Sequence, residues 1–351
     1  MTLSWGLVIA TYRREDILLR CLKCAATQSC PPKEIVVVDN SPYWDRTRAQ
    51  VLNELGEQHP GIEWKYVQAE VGGAAAQRAQ GTRIANADIL FLIDDDSLMH
   101  PTCAESVLSV YAQDKQMEIV GIMPLLHNFP PDHASGGGEN ECDAVVPNKS
   151  RLRKHSRRRL HQLKQVIKGR FLPIEFAVQE SDARPDLDCS WNEVPAIHGA
   201  RMSFRREALM RHNFDSHMKY VHDETEMSLR IRREGKIICI HQPLIFHAEA
   251  PTHIVGRQSQ AERAFWLVNH AYMCRKLMSD SHNMQRYVRR YGSRTRMLDL
   301  LTGVAARNLN RWRGAMNCRK DVEELLAASE HRYVAVYDQI IEKWRTRKDG
   351  T

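Results

Sequence analysis

Apolar runs alternate with amphipathic segments through the first hundred residues. Residues 5–11, "WGLVIAT", are almost continuously apolar, which is typical of a strand buried on both faces of a sheet. The next segment carries apolar residues at helical spacing from Ile17 to Ala25. The same alternation predicts further strands in 33–41, 62–69 and 87–96, and further helices in 46–58 and 74–86. This order predicts an α/β fold with a doubly wound, mainly parallel sheet.

Polar residues cluster where the predicted strands reach their carboxyl ends. These residues are Thr11 and Tyr12, then Asp39, then Gly72 and Gly73, then Asp94, Asp95 and Asp96. In an open α/β sheet the carboxyl ends of the strands form the edge where ligands bind. Ordinary polar turns explain any one of these clusters, but they explain all of them together less well. The pattern therefore predicts a ligand site at this edge.

Three adjacent carboxylates end the strand at residues 87–96. Because side chains alternate along a strand, Asp94 and Asp96 are expected on one side and Asp95 on the other. Two carboxylates on one side suit a hard cation, Mn²⁺ or Mg²⁺, which also takes phosphate oxygens as ligands. The alternative is a helix cap formed by Asp96 or Ser97, but a cap needs only one acid. We therefore predict a metal site here.

The usual phosphate-binding loops are missing from the sequence. It contains no G-x-x-x-x-G-K-[ST] pattern, and no G-x-G-x-x-G follows the first strand. The glycines of "VGGAAAQRAQG", residues 71–81, lie in the third crossover and in the wrong register. A divalent cation is then the natural way to neutralise a bound diphosphate.

The second half of the chain divides into three parts. Residues 130–140 read as a loop, a second ordered block runs from about 191 to 250, and a helical, basic segment follows from Arg257. The predicted organisation is one α/β domain at 1–256 and a helical region at 257–351. Within the domain, two ordered parts, 1–125 and 186–256, flank a basic, flexible insert (126–185).

The net charge of +7 is distributed unevenly over the 351 residues. Residues 149–170 carry ten Lys or Arg and no acid, and residues 257–320 carry fourteen against three acids, so the remainder is acidic. The run at 149–170 is interpreted first as a flexible, solvated loop over the ligand cleft and second as a lipid-phosphate or membrane contact. Nucleic acid is the least favoured partner because interleaved aromatic residues are lacking.

Cysteine usage and hydropathy indicate a cellular location. The nine cysteines include a lone C-x-x-C at Cys21 and Cys24, which is interpreted as two small apolar residues on a helix. No signal peptide or membrane-spanning run is evident. A cytoplasmic protein is predicted, with the inner face of the membrane as an alternative site. The C-terminal helices are candidates for core packing, for a homodimer contact or for peripheral membrane contact.

Five segments in order resemble the inverting family 2 glycosyltransferases of GT-A fold. They are "VIATYRREDILLRCLKCAATQ…PKEIVVVDNS", "VGGAAAQRAQGTRIANADILFLIDDDS", "GARMSFRREAL", "DETEMSLRIRREG" and a late "FH", which together span about two-thirds of the chain. The resemblance implies that 1–256 is a catalytic domain with a Rossmann-like nucleotide-sugar-binding half (1–125) and an acceptor half (186–256), followed by a helical C-terminal extension. It also implies a nucleoside-diphosphate sugar as donor.

The resemblance assigns a donor-binding role to each matching residue. Thr11 and Tyr12 match the end of the first strand, which contacts the nucleotide base, and Asp39 matches the acid that reads the base edge, often that of uracil or thymine. The matching metal ligands are Asp96, Asp94 and the late His247. The other nucleotide-sugar-binding positions are Arg13, Gly72, Gly73, Arg78 facing the diphosphate, and Asp95.

A second acidic cluster, "HDETEMSLRIRREG", begins an amphipathic segment at residue 222. In the family, an Asp at this point deprotonates the acceptor hydroxyl, and inversion needs one such base. The usual order is Glu-Asp, whereas Asp223-Glu224 reverses it and is closer to the variant of galactofuranosyl- and some rhamnosyl-type transferases. Position favours Glu224 as the base and leaves Asp223 open. The alternative is structural: Asp223, Glu224 and Glu226 lie in the first turn of a predicted helix, where the helix dipole stabilises negative charge.

The expected function is metal-dependent, inverting transfer of a hexosyl or deoxyhexosyl group. The donor is a UDP- or dTDP-sugar, and the acceptor is a hydroxyl of a saccharide, a lipid-linked glycan or a small molecule. The product then belongs to glycan, glycolipid or glycosylated metabolite synthesis. A nucleotidyltransferase of related fold, a nucleic-acid-binding protein and an inactive sugar-nucleotide-binding scaffold are the alternatives.

Overall fold

The computed structural model of the chain describes residues 3–131, 187–250, 259–306 and 308–347. Several predictions fall outside these residues, so the structure leaves them as they were. They concern the basic run at 149–170, nearly all of the loop at 130–140, most of the insert at 126–185, and the boundary at 256.

The first half of the chain contains the predicted alternation of strands and helices. The strands are β1 (Trp5–Thr11), β2 (Glu34–Asp39), β3 (Glu63–Gln68) and β4 (Ile89–Asp94). The helices between them are α1 (Glu15–Ala26), α2 (Trp44–Val51) and α3 (Ala74–Ile84), and α2 continues into a π-helical turn, Leu52–Gly56.

The second half begins directly after the acidic triplet. Its elements are β5 (Ser97–Met99), α4 (Cys103–Gln113), β6 (Ile119–Leu126), β7 (Trp191–Glu193), β8 (Met202–Arg205), α5 (Arg206–Arg211), α6 (Asp223–Ile231) and β9 (Lys236–His247). A 3₁₀ turn, Gly199–Arg201, leads into β8.

One sheet runs through the catalytic region in the order β3-β2-β1-β4-β8-β6-β9-β5, with β7 paired to β9. The first four strands are all parallel, and β6 is parallel to β9. The pairs β4–β8, β6–β8, β5–β9 and β7–β9 are antiparallel. The predicted doubly wound, mainly parallel sheet is confirmed, and the antiparallel pairs bring β9 and its terminal histidine back to the end of β4.

Both faces of the sheet are covered, as the continuous apolar strands predict. On β1, Leu7 and Ile9 belong to the core that includes Leu22 of α1, whereas Val8 belongs to the core that includes Ala79 of α3. Cys21 and Cys24 are buried and free on α1, which agrees with their interpretation as apolar side chains, and burial raises the pKa of both thiols.

The C-terminal segment is helical. It contains α7 (Gln260–Leu277), α8 (Ser281–Ala306), α9 (Asn310–Asn317), α10 (Arg319–Ala327) and α11 (Tyr333–Thr346). These helices share a core of their own, which Met218 and Leu229 of the sheet region also enter. Within the described residues, no helix combines the length and the apolar character that a membrane crossing requires.

Helix α3 approaches β1 so closely that one position admits only glycine. A Cβ at Gly81 would lie 2.4 Å from Val8 Cγ1, well inside van der Waals contact. We expect Gly81→Ala to destabilise the protein, because overpacking costs about 1–3 kcal/mol and outweighs the roughly 1 kcal/mol that alanine gains in a helix. Gly61→Ala, where no atom lies within 4 Å of the new Cβ, is the control. Urea unfolding measures both, and an unchanged midpoint for Gly81→Ala contradicts the tight contact.

Candidate functional site

Three predicted metal ligands meet at the carboxyl edge of the sheet. Asp94 ends β4, Asp96 follows in the turn, and His247 ends β9; their ligand atoms all lie within 4.8 Å of one another. His247 Nε2 lies 3.1 Å from Asp96 Oδ1 and 3.8 Å from Asp94 Oδ2. The antiparallel pairing of β5 with β9 places Ser97 opposite His247 and so fixes this meeting. Two carboxylates and one imidazole are a ligand set that fits a divalent cation such as Mn²⁺.

Asp95 is buried against the end of β1 and the loop that follows it. Thr11 Oγ1 donates a hydrogen bond to Asp95 Oδ2 at 2.8 Å, and Arg14 Nη1 lies 2.5 Å from Asp95 Oδ1. Burial raises the pKa of Asp95 to about 6, although Arg14 and Thr11 oppose the shift. The cluster around His247 contains Asp94 and Asp96, whereas Asp95 and Asp96 share the guanidinium of Arg14. Strand alternation does not apply to Asp95 and Asp96, because β4 ends at Asp94 and a turn follows.

Arg14 is a residue of this site that the sequence did not single out. Its guanidinium contacts Asp95, lies 3.1 Å from Asp96 Oδ2, and donates to the carbonyl oxygen of Ala250. Burial by itself raises the pKa of Asp96, but the hydrogen bond and charge of His247, the charge of Arg14 and the Ala250 N–H lower it overall. Asp96 is therefore held as a carboxylate. Nothing in "TYRRED" distinguishes Arg14 from its neighbour Arg13.

Arg78 connects the acidic edge to the second acidic cluster. From the second turn of α3, its Nη2 donates to Asp94 Oδ1 at 2.6 Å and its Nη1 to Asp223 Oδ2 at 2.8 Å. Burial by itself lowers the pKa of Arg78, but the charges of Asp223, Asp94 and Glu224 raise it overall. Gly199 packs against this pair, since a Cβ there would lie 3.1 Å from Arg78 Nη2. These contacts use two of the five N–H donors of the guanidinium, and Nε is buried without a hydrogen-bond partner among the described residues.

The two acids at the start of α6 have opposite electrostatic environments. Burial favours the neutral form of Asp223, but the charge of Arg78 and hydrogen bonds from Glu224 and Arg78 lower its pKa. Burial raises the pKa of the half-buried Glu224 well above its usual value, and the charge of Asp223 and their shared hydrogen bond raise it further. Asp223 is thus fixed as the anion beside Arg78, whereas Glu224 binds a proton more readily.

Glu226, the third acid of this segment, is buried in ion pairs that hold helices together. It is fully buried, with Arg230 Nε 2.7 Å and Lys276 Nζ 2.9 Å from its Oε1. Lys276 belongs to α7 and also lies 2.7 Å from Asp215 Oδ2. Glu226 therefore anchors α6 to the C-terminal helices.

The predicted base-binding residues lie at the ends of β1 and β2. Asp39 pairs with Thr11 across the two strands and is 1% exposed. The N–H of Ser41 donates to its Oδ1 at 2.7 Å, and the Tyr66 hydroxyl donates to its Oδ2 at 2.6 Å. Tyr66, which the sequence did not nominate, thus helps to hold the carboxylate at this edge.

Tyr12 and Arg13 follow directly after β1. The Arg13 guanidinium lies 5.1 Å from the centre of the Tyr12 ring, and Arg13 has a positive φ of 55°. Its backbone N–H donates to Ser41 Oγ at 2.7 Å. This hydrogen bond joins the loop after β1 to the loop after β2.

Gly72 and Gly73 lead into α3 beside a lysine that the sequence did not nominate. Gly73 has a φ of 119°, a conformation that glycine adopts readily. Lys219 Nζ donates to the Gly72 carbonyl oxygen at 3.0 Å, and a Cβ at Gly73 would lie 3.2 Å from Lys219 Cδ. The structure therefore places a cation beside the start of α3.

The chain matches a known family over most of its length. A family model described as "Glycosyltransferase like family 2" matches residues 5–312. The chain belongs to this family. The match includes every residue of the candidate site and also α7 and α8.

Two curated relatives match parts of the chain. Validoxylamine A glucosyltransferase from Streptomyces hygroscopicus subsp. limoneus is 31% identical over 146 residues, which cover 37% of this chain and 31% of the relative. Hyaluronan synthase from Pasteurella multocida is 20% identical over 269 residues, which cover 74% of this chain and 25% of the relative. The chain thus matches between a quarter and a third of the length of these relatives.

Solved structures of similar fold cover nearly the whole chain. The mannosyltransferase PcManGT from Pyrobaculum calidifontis, solved with GDP-Man and Mn²⁺, has a TM-score of 0.51 and 15% identity, covering 99% of this chain and 89% of its own. S. aureus TarS 1-349, solved with UDP-GlcNAc, has a TM-score of 0.51 and 12% identity, covering 97% and 91%. The GT-A fold is confirmed.

The cluster of Asp94, Asp96 and His247 predicts metal-dependent stabilisation. With Mn²⁺ at about 100 times its dissociation constant, binding to the folded state should add about 2.7 kcal/mol. We expect Asp96→Asn to lose most of the associated rise in unfolding temperature, because it removes one of the two anionic ligands. Asp45→Asn, an exposed acid on α2, should keep the rise. A full Mn²⁺ shift in Asp96→Asn contradicts the site.

Proposed function

We propose that the chain transfers a sugar from a nucleoside-diphosphate sugar to an acceptor hydroxyl, with inversion at the anomeric carbon. The Asp94–Arg78–Asp223 contact carries this proposal, because it joins a cation-binding edge to a pair of acids within one buried site. The family membership and the ligands of the two structural neighbours, GDP-Man with Mn²⁺ and UDP-GlcNAc, support it.

The donor is proposed to lie along the carboxyl edge, with its diphosphate at Asp94, Asp96 and His247. These side chains would hold Mn²⁺ or Mg²⁺, which supplies positive charge to the departing diphosphate. The base is proposed to be uracil or thymine, read by Asp39. Ser41 and Tyr66 each donate a hydrogen bond to one oxygen of that carboxylate. The N–H of the uracil or thymine must therefore bind a lone pair that these two donors leave open.

Glu224 is proposed as the general base. Asp223 is bound to Arg78 and held as an anion, whereas the raised pKa of Glu224 suits a group that takes up a proton. As the acceptor oxygen bonds to the anomeric carbon, its proton passes to Glu224 and the bond to the diphosphate oxygen breaks. Asp223 then orients Arg78 and keeps Glu224 basic.

The two acids can be separated by turnover and its pH dependence. Glu224→Gln should lower kcat by at least about 10²-fold. Asp223→Asn should lower kcat less than Glu224→Gln does, with the acidic limb of kcat/KM moved to lower pH. This direction follows because the negative charge of Asp223 raises the pKa of Glu224, and the base acts only when deprotonated.

Release of nucleoside diphosphate from UDP-, dTDP- and GDP-sugars with Mn²⁺ measures both effects. Glu207→Gln, an exposed acid on α5, is the control and should match the wild type. The reverse pattern, with Asp223→Asn inactive and Glu224→Gln active, assigns the base to Asp223. Failure to turn over any donor with any acceptor hydroxyl contradicts the function.

One face of α8 supports a further proposal, contact with an anionic membrane surface. Four exposed apolar side chains follow helical spacing near its end, Met297, Leu300, Leu301 and Val304. The exposed arginines Arg286, Arg290 and Arg294 precede them on the same side. The only acid of α8, Asp299, is buried against Arg263. Apolar and cationic surface without exposed acid complements a bilayer that carries anionic headgroups, and such contact suits a lipid-linked acceptor.

Flotation with vesicles tests this contact directly. We expect the wild type to float with vesicles of phosphatidylcholine and phosphatidylglycerol but not with phosphatidylcholine alone, because the arginines need anionic lipid. Leu301→Ser combined with Val304→Ser should abolish flotation, whereas Met316→Ser, an exposed methionine on α9, should not. No flotation with either vesicle overturns the proposal. A dimer in sedimentation that the double substitution dissociates would assign the face to a homodimer instead.

A further inference from the structure

The segment before the catalytic acids has an unusual backbone. Residues 219–222, called the 219–222 loop below, lead into α6, and two of them lie in the left-handed region, Tyr220 at φ 75° and His222 at φ 69°. Bulky side chains rarely adopt this region and persist there only where their surroundings impose it. His222 is the residue directly before Asp223. Whatever holds this loop therefore sets where α6 and its acids begin.

Two buried polar residues of the C-terminal helices hold the loop. The amide nitrogen of Asn269 on α7 donates both of its hydrogens to the loop, to the carbonyl of Lys219 at 2.5 Å and to that of Val221 at 2.8 Å. The hydroxyl of Tyr337 on α11 donates to Asn269 Oδ1 at 2.9 Å and accepts the N–H of Lys219 at 3.2 Å. Both side chains are 0% exposed.

Aromatic rings of α7 pack against the two strained residues. Phe265 stacks on Tyr220 with ring centres 4.1 Å apart, and Trp266 meets the His222 ring edge-on at 4.4 Å. Hydrogen bonds therefore fix the backbone of the loop while ring contacts fix its side chains.

Helix α7 also holds α6 beyond its first turn. Lys276, two turns after Asn269, pairs with the buried Glu226. Asp223 and Glu224 lie between these two contacts along the chain. Asp223 in turn accepts a hydrogen bond from Arg78. The polar side chains of this interface bind the segment that begins α6. An interface that served packing alone would not need these buried hydrogen bonds.

We propose that the C-terminal helices form part of the catalytic apparatus, with Asn269 and Tyr337 as positioning residues for Asp223 and Glu224. The inference rests on the proposed function for its catalytic meaning, whereas the contacts stand without it. Loss of either residue should release the 219–222 loop from its strained backbone and displace the acids. The edge that holds the donor, formed by β1, β2 and β4, should stay in place.

The test uses small deletions in the full chain. Tyr337→Phe removes one hydroxyl, and Asn269→Ala removes both donors to the loop. Tyr287→Phe on α8 is the matched control, because the Tyr287 hydroxyl is buried without a hydrogen-bond partner among the described residues. The readouts are kcat, the affinity for UDP with Mn²⁺, the pH profile, and hydrogen exchange of the amides of residues 219–224.

We expect both variants to lower kcat, by up to about 10²-fold for displacement of a reacting group, and to change UDP affinity much less than kcat. The acidic limb of the pH profile should move because Asp223 and Glu224 no longer sit at their native separation, and amides 219–224 should exchange faster. Tyr287→Phe should match the wild type in all four readouts. A role in packing alone would lower the unfolding temperature and leave kcat and the pH profile unchanged.

Three outcomes are distinguishable. If the wild type is active but kcat of both variants stays within about twofold of it, the positioning role is overturned and the function stands. If the wild type turns over no donor, the function fails, and exchange at 219–224 still decides whether the two residues hold the loop. If Asn269→Ala does not fold, Tyr337→Phe alone decides, since it deletes a single atom.

Discussion

The buried guanidinium of Arg78 is the contact on which the rest of the site depends. The site gathers Asp94, Asp96, Asp223 and Glu224 in a small volume, and burial of several carboxylates without nearby cations is prohibitively costly. Arg78 offsets two of them at once, by 2.6 Å and 2.8 Å hydrogen bonds. It also joins the sheet edge at Asp94 to α6 at Asp223, a residue that lies 145 positions after Arg78 in the chain. One side chain therefore couples the electrostatics of the sheet edge to those of the two acids on α6.

The first half of the fold was predictable because its signals are local. Continuous apolar runs define strands buried on both faces, and β1 to β4 lie where that pattern placed them. The pairing of Asp94 with Asp96 was also predicted, but for an incomplete reason. Strand alternation stops at Asp94, and the turn that follows is held by Arg14 and by the pairing of β5 with β9.

The remaining site residues could not be predicted because their roles depend on distant contacts. Arg14, Lys219, Asn269 and Tyr337 are ordinary residue types in unremarkable local patterns, and each acts on chain segments that lie between about 50 and 240 residues away. The antiparallel pairs of the second half are likewise tertiary. They join strands of three to twelve residues whose order along the chain gives no indication of their order in the sheet.

The strained 219–222 loop has a consequence for how such enzymes can be recombined. Its conformation depends on contacts among three separate stretches of chain, namely the loop itself, α7 and α11. A chimaera that takes its sheet from one family member and its C-terminal helices from another would lose the fit between the 219–222 loop and these helices, next to Asp223 and Glu224. A chimaera that replaces the C-terminal helices therefore has to replace the 219–222 loop together with them.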